Sequence, residues 1–145
     1  MKHYTTHNLV LNQTIEFLLR KARNVITAEM DAALKEFGIT SQQMAILLSM
    51  HGGGASTPFE LSRLLAVDTG LMTRLLDKLE ARGLLERSRS NEDRRVVNLS
   101  LTAKGSEVAA QLPGLARNVL NPMLRKFSKR EFEQLRSLLL KFVGD

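Results

Sequence analysis

The sequence predicts a mainly α-helical fold that carries one small β-hairpin. Apolar residues recur at steps of three and four along most of the chain, as a helix buried on one face requires. Several helix starts carry a hydroxyl residue followed three positions later by Glu or Gln. Only Val97, Leu99 and Leu101 follow the clean period of two that a half-buried strand needs. The 145 residues, 43% hydrophobic and 25% charged, suit one globular domain over residues 1–145.

The first helix is expected from Asn8 to Phe37, with Ile15, Leu19, Ala22, Ile26, Met30, Ala33 and Phe37 on one face and Leu11, Leu18 and Val25 widening it. Such a helix spans ~45 Å, longer than a small domain is wide, so part of its apolar face is expected to lie on a second copy. Thr40 with Gln43, Thr57 with Glu60 and Ser128 with Glu131 mark three later starts. Pro58 falls at a first helical position, where its missing N–H is harmless. Gly52, Gly53 and Gly54 form the loop before it.

Val67 and Asp68 break the chain after Ala66, and Asp68 or Thr69 caps a further helix with Met72, Leu75, Leu76 and Leu79 inward and Gly83 as its stop. Leu84 to Arg89 and Arg95 to Leu101 are two extended segments joined as a hairpin. Thr102 caps the next helix, with Val108, Leu112, Leu115, Val119, Met123 and Phe127 on its stripe; a kink is expected near Pro113 and an end or second kink near Pro122. A last helix from about Lys129 is expected to bury Phe132, Leu135, Leu139 and Phe142.

Helix, tight turn, helix and hairpin over residues 57–105 follow the order of a winged helix-turn-helix, framed by dimerisation helices over 8–37 and 106–145. The dimer contacts are expected from Ile15, Leu19, Leu115, Val119, Leu135 and Leu139. The second helix of the pair can enter a major groove with Gly70, Thr73, Arg74, Asp77 and Lys78 outward, where Arg74 can fork to a guanine. Arg87, Arg89, Arg94 and Arg95 crowd the hairpin. Arginine suits a narrow minor groove because it is less strongly hydrated than lysine, and Asp93 can hold a neighbouring one in position.

The run from Gly70 to Gly105 strongly resembles the MarR family of bacterial transcription regulators, through Arg74, Leu79, Gly83, Leu84, Arg87, Asp93, Arg94, Leu101, Thr102 and Gly105 at family spacing. The resemblance implies a homodimer on a pseudo-palindromic operator of double-stranded DNA. It places Thr69, Gly70, Thr73, Arg74 and Lys78 on the major groove and its phosphates. It also makes Arg94 the wing-tip arginine, with Asp93 orienting it and Arg95 and Arg89 beside it. Family members are often repressors relieved by small aromatic acids. Such an anion is expected between the first two helices and the fifth, with Arg20 or Arg23 meeting its charge and Met44 and Leu47 its ring.

Composition narrows the alternatives. With no cysteine, thiol chemistry and Cys-ligated zinc are excluded, which sets the chain apart from oxidation-sensing members of that family. His3 and His7 can pair on a metal only if helical, and no metal site or cofactor is expected. The glycine triplet lacks the Gly-Lys-Ser/Thr ending of a phosphate cradle, and no catalytic motif occurs. No apolar run reaches the ~20 residues of a membrane span, so a cytoplasmic protein with no membrane partner is expected. A net charge of +6 favours a polyanionic partner. Residues 57–105 hold nine basic and seven acidic side chains, however, while 117–141 hold seven and two, so the excess charge sits outside the reading lobe. The competing reading is a winged-helix adaptor that contacts proteins and not DNA.

Overall fold

A computed structural model describes all residues from Met1 to Asp145. Six helices and one hairpin follow in the order α1 (Ile15–Leu34), α2 (Ser41–His51), α3 (Pro58–Leu65), α4 (Thr69–Ala81), β1 (Leu85–Arg89), β2 (Val97–Leu101), α5 (Ala103–Leu124) and α6 (Lys129–Val143).

α1 is shorter than the apolar stripe suggests, because Thr14 fixes its start. The Thr14 hydroxyl accepts from the Phe17 amide at 3.2 Å, and the exposed Ile15 amide donates to the Tyr4 hydroxyl at 2.9 Å. Leu11–Gln13 form a separate 3-10 turn, and Lys35–Phe37 tighten into another before Gly38 ends the run at φ 65°. His3 and His7 lie outside any helix.

The three expected caps form. Thr40 with Gln43 and Ser128 with Glu131 make reciprocal capping boxes, whereas Thr57 accepts from the Glu60 amide without the return bond to its own backbone. An additional cap comes from a distance: Asp31 on α1 accepts from the Ser41 amide at 2.7 Å and ties α2 to the stem. α5 meets one expectation, an end just past Pro122. It runs as one helix through Pro113 and Pro122 and ends at Leu124. Each proline leaves one carbonyl without its ladder donor, Ala109 and Asn118 respectively, and the rest of the ladder holds.

The core is built from α1's last turns, α2, α3, α4, the hairpin and the first half of α5. Leu34, Ile46, Leu47, Leu61, Met72, Leu76, Leu79, Leu84, Leu85 and Leu112 are fully enclosed. Each such side chain contributes about 1.5–3 kcal/mol. β1 and β2 pair antiparallel, with Arg87 opposite Leu99. The Leu99 amide also donates to the Ser56 carbonyl at 2.7 Å, so the hairpin is fixed to the segment entering α3.

α6 does not bury the residues expected of it. Leu135 and Leu139 are 38% exposed and Phe142 65%, because α6 packs only sparsely on the rest of its own chain. α1 is also bare between Ile15 and Ile26, at Ile15, Leu18, Val25 and Ile26. The two helices flank a groove of about 490 Å³ lined by apolar side chains alone, among them Ile15, Leu18, Leu19, Leu135, Leu139 and Phe142. Leu115 and Val119 on α5 are half-buried. No helix is long and apolar enough to cross a membrane.

Candidate nucleic-acid interface

The turn between α3 and α4 is made without glycine. Ala66 takes a left-handed conformation at φ 51° to close α3, at the cost of about 1–2 kcal/mol that Cβ crowding imposes there. Asp68 then caps α4, its carboxylate accepting from the Leu71 amide at 2.9 Å. With Met72, Leu75, Leu76 and Leu79 buried, helical geometry places Thr69, Gly70, Thr73, Arg74, Asp77 and Lys78 on the exposed face.

Within that face the charges are sorted. Asp77 is engaged by Arg87 of β1 at 2.8 Å, and Glu80 lies 3.8 Å from the same guanidinium. Arg74 and Lys78 have no ion pair in the chain. One Arg74 terminal nitrogen lies 3.8 Å from where a side chain on Gly70 would begin, so the guanidinium passes over bare backbone. The Thr73 hydroxyl donates to the Thr69 carbonyl at 2.9 Å. A donor fork and an ammonium, free of internal partners and on a helix narrow enough for a major groove, can bond to guanine edges and phosphates.

The hairpin corrects the expected use of its four arginines. Arg87 shares the inward face of β1 with Leu85 and turns onto α4, away from the tip; it braces hairpin against helix. Arg89 reaches along the loop and donates to the Arg94 carbonyl at 2.8 Å. Asp93 holds Arg95 and not Arg94. Its two oxygens take Nε and Nη2 of Arg95 at 3.1 Å each, and the Arg95 amide adds a bond of 3.0 Å. These contacts, the Arg95 side chain first, hold the Asp93 carboxyl below its ordinary pKa. Neighbouring i and i+2 side chains of a tight turn meet here, which a reading by adjacency misses. The Ser90 hydroxyl accepts from the Glu92 and Asp93 amides at 3.2 and 3.3 Å, which shapes the turn. Arg94 alone presents an unpartnered guanidinium at the tip.

The residues named for a small anion do not gather in the single chain. Arg20 is paired with Glu16 at 2.8 Å on the exposed side of α1, Arg23 is exposed, Met44 is half-buried and Leu47 is fully enclosed. A separate cleft of about 650 Å³ lies between the end of α1 and α5, lined by Ala33, Glu36, Phe37, Gln111, Leu115 and Val119. No group of three or more His, Asp or Glu side chains converges as a metal site.

Residues 39–97 match the profile described as the MarR family. The chain is 38% identical over 78 residues to the multiple antibiotic resistance protein MarR of Salmonella typhimurium, and spans about half the length of that relative, 54%. It is 32% identical over 135 residues to the organic hydroperoxide resistance transcriptional regulator of Bacillus subtilis, covering 91% of this chain and 88% of that one. Among solved structures, a mutant of Escherichia coli MarR complexed with operator DNA superposes with a TM-score of 0.83 at 27% identity, over 94% of this chain and all of the other. Helix pair, hairpin and stem thus agree with the Bacillus subtilis regulator and the Escherichia coli structure over most of their length, and the chain belongs to the MarR family.

Proposed function

We propose that two copies of this chain join through α1, α5 and α6 and occupy a pseudo-palindromic operator, repressing transcription by excluding polymerase from the promoter. The observation that carries this reading is the pairing of two unpartnered guanidinium groups, Arg74 on the exposed face of α4 and Arg94 at the hairpin tip, on elements that Arg87 locks together. Each copy then sets α4 in a major groove, with Thr69, Gly70, Thr73, Arg74 and Lys78 toward bases and phosphates, and the hairpin over the adjacent minor groove with Arg94 and Arg95. Half-sites lie about one helical turn, ~34 Å, apart. The bare apolar faces of α1 and α6, with Ile15, Leu19, Leu135 and Leu139, support the dimer, with Leu115 and Val119 of α5 beside them. Such a regulator works in the cytoplasm.

A diffusible small molecule, of the aromatic-acid class, relieves the repression. The absence of cysteine supports this over a peroxide sensed through a thiol. A coupling free energy of ~1–3 kcal/mol between head spacings is enough to release DNA. The adaptor reading is not favoured, because an adaptor has no use for the free arginines.

Selection of bound duplexes from a random pool, followed by anisotropy titration at several salt concentrations, tests the proposal. A pseudo-palindrome bound with ~10⁻⁸–10⁻¹¹ M affinity and a steep salt dependence is expected. Failure to enrich any duplex at low ionic strength overturns it.

A further inference from the structure

The reading head and the stem also meet through a polar contact outside the apolar core and the DNA face. Arg82 stands at the C-terminal end of α4. Its guanidinium turns back across the molecule and donates through Nη2 to the Phe37 carbonyl at 3.4 Å, in the last 3-10 turn below α1. Carbonyls at such an end lack ladder partners and favour a cation. The same guanidinium sits against Gly38, where a β-carbon would collide with Nη2. Gly38 is therefore bare for two reasons, a left-handed φ of 65° and the arginine above it. The Arg82 carbonyl in turn accepts from Lys104 Nζ at 3.3 Å, so this one residue is tied both to the turn after α1 and to the first turn of α5.

We propose that Arg82 is a positioning residue that sets the angle between head and stem, and with it the separation of the two recognition helices in a dimer. Apolar packing between head and stem is non-directional, whereas a planar donor group seated on one carbonyl has a fixed direction. Arg82 is ~20 Å along α4 from the N-terminal residues that read bases, and its fork is turned toward α1, so it acts through geometry and not by touching DNA. The inference rests on the dimeric operator-binding reading given above.

Operators with one fixed half-site and a spacer varied base pair by base pair test it, with wild type, Arg82→Ala, Gly38→Asn and the double variant. Asparagine tolerates the left-handed turn but displaces the guanidinium. Wild type is expected to prefer one spacing. Either single change reduces discrimination against neighbouring spacings about fivefold, the double variant does no more, Arg82→Lys restores part of it, and the salt slope of binding stays that of wild type. Two results overturn the positioning role alone: unchanged spacing preference in the variants, or a loss uniform across spacers with a salt slope smaller by about one, which marks a phosphate contact. A wild-type chain without any preferred spacing overturns the dimeric reading and this role together.

Discussion

If the hairpin tip contacts DNA as proposed, replacing Arg94 by alanine separates recognition from folding. The Arg94 side chain makes no hydrogen bond or ion pair within the chain; only its backbone carbonyl is used, by Arg89 at 2.8 Å, and alanine keeps that carbonyl. Stability should therefore stay within about 0.5 kcal/mol of wild type, the range of exposed substitutions without special contacts. Operator binding should weaken by about 1–3 kcal/mol, which is roughly 5- to 150-fold in Kd. Losing one phosphate-side charge should also lower the slope of log K against log salt by about 0.9 for each site vacated. Arg95→Ala is expected to cost less, because the Asp93 carboxylate already offsets much of that charge at 3.1 Å. Anisotropy titrations on the selected operator at two salt concentrations, with thermal melts of the free protein, measure all three quantities. Unchanged affinity, or a loss matched by a lowered melting temperature, would refute the assignment of Arg94 as the free contact at the tip.

Three further outcomes follow from the packing and charge pattern. Gly105→Ala drives a methyl group into the Leu84 carbonyl, where α5 meets the hairpin; a loss of about 1–3 kcal/mol in urea unfolding is expected, and a loss below 0.5 kcal/mol counts against so close a contact. Glutamate at both Leu135 and Leu139 should turn the proposed dimer into monomer in sedimentation at micromolar concentration. The exposed 38% of each leucine is worth about 0.6–1.1 kcal/mol when covered, and four copies leave a two-fold interface. The Asp93 carboxyl should titrate below its ordinary value of 3.8 in wild type and rise toward it in Arg95→Ala, followed by carbon-detected NMR. Its depressed pKa means that its contribution to the hairpin is complete above the ordinary value and disappears as pH falls through the folded one. A wild-type midpoint at or above 3.8 counts against the Asp93–Arg95 pair.

Local signals carried most of the fold. Thr40, Thr57, Thr102 and Ser128 cap helices where hydroxyl residues precede apolar periodicity, and Val97, Leu99 and Leu101 face the core by alternation. The boundary that moved did so because a competing contact decided it: Thr14 starts α1 inside a continuous apolar stripe. At the interface, the outward set on α4 was legible from the inward leucines. The wing was less so, since four nearby arginines are alike in sequence and differ only in what they meet. Period two already placed Arg87 beside Leu85 on the inner face, a signal that charge density obscured. The partners of Asp93 and Arg82 depend on turn geometry and on a contact spanning 45 positions, and no spacing rule reaches those.

The capping box at Ser128 starts a helix that has a defined beginning but no interior of its own chain to settle into. Fifteen residues are marginal as a solitary helix in water. In the proposed dimer the second copy supplies that cover, so the ordering of α6 is coupled to association. On that proposal the concentration of polypeptide governs how much of it is assembled, and a copy without its mate offers proteases a soft, greasy tail.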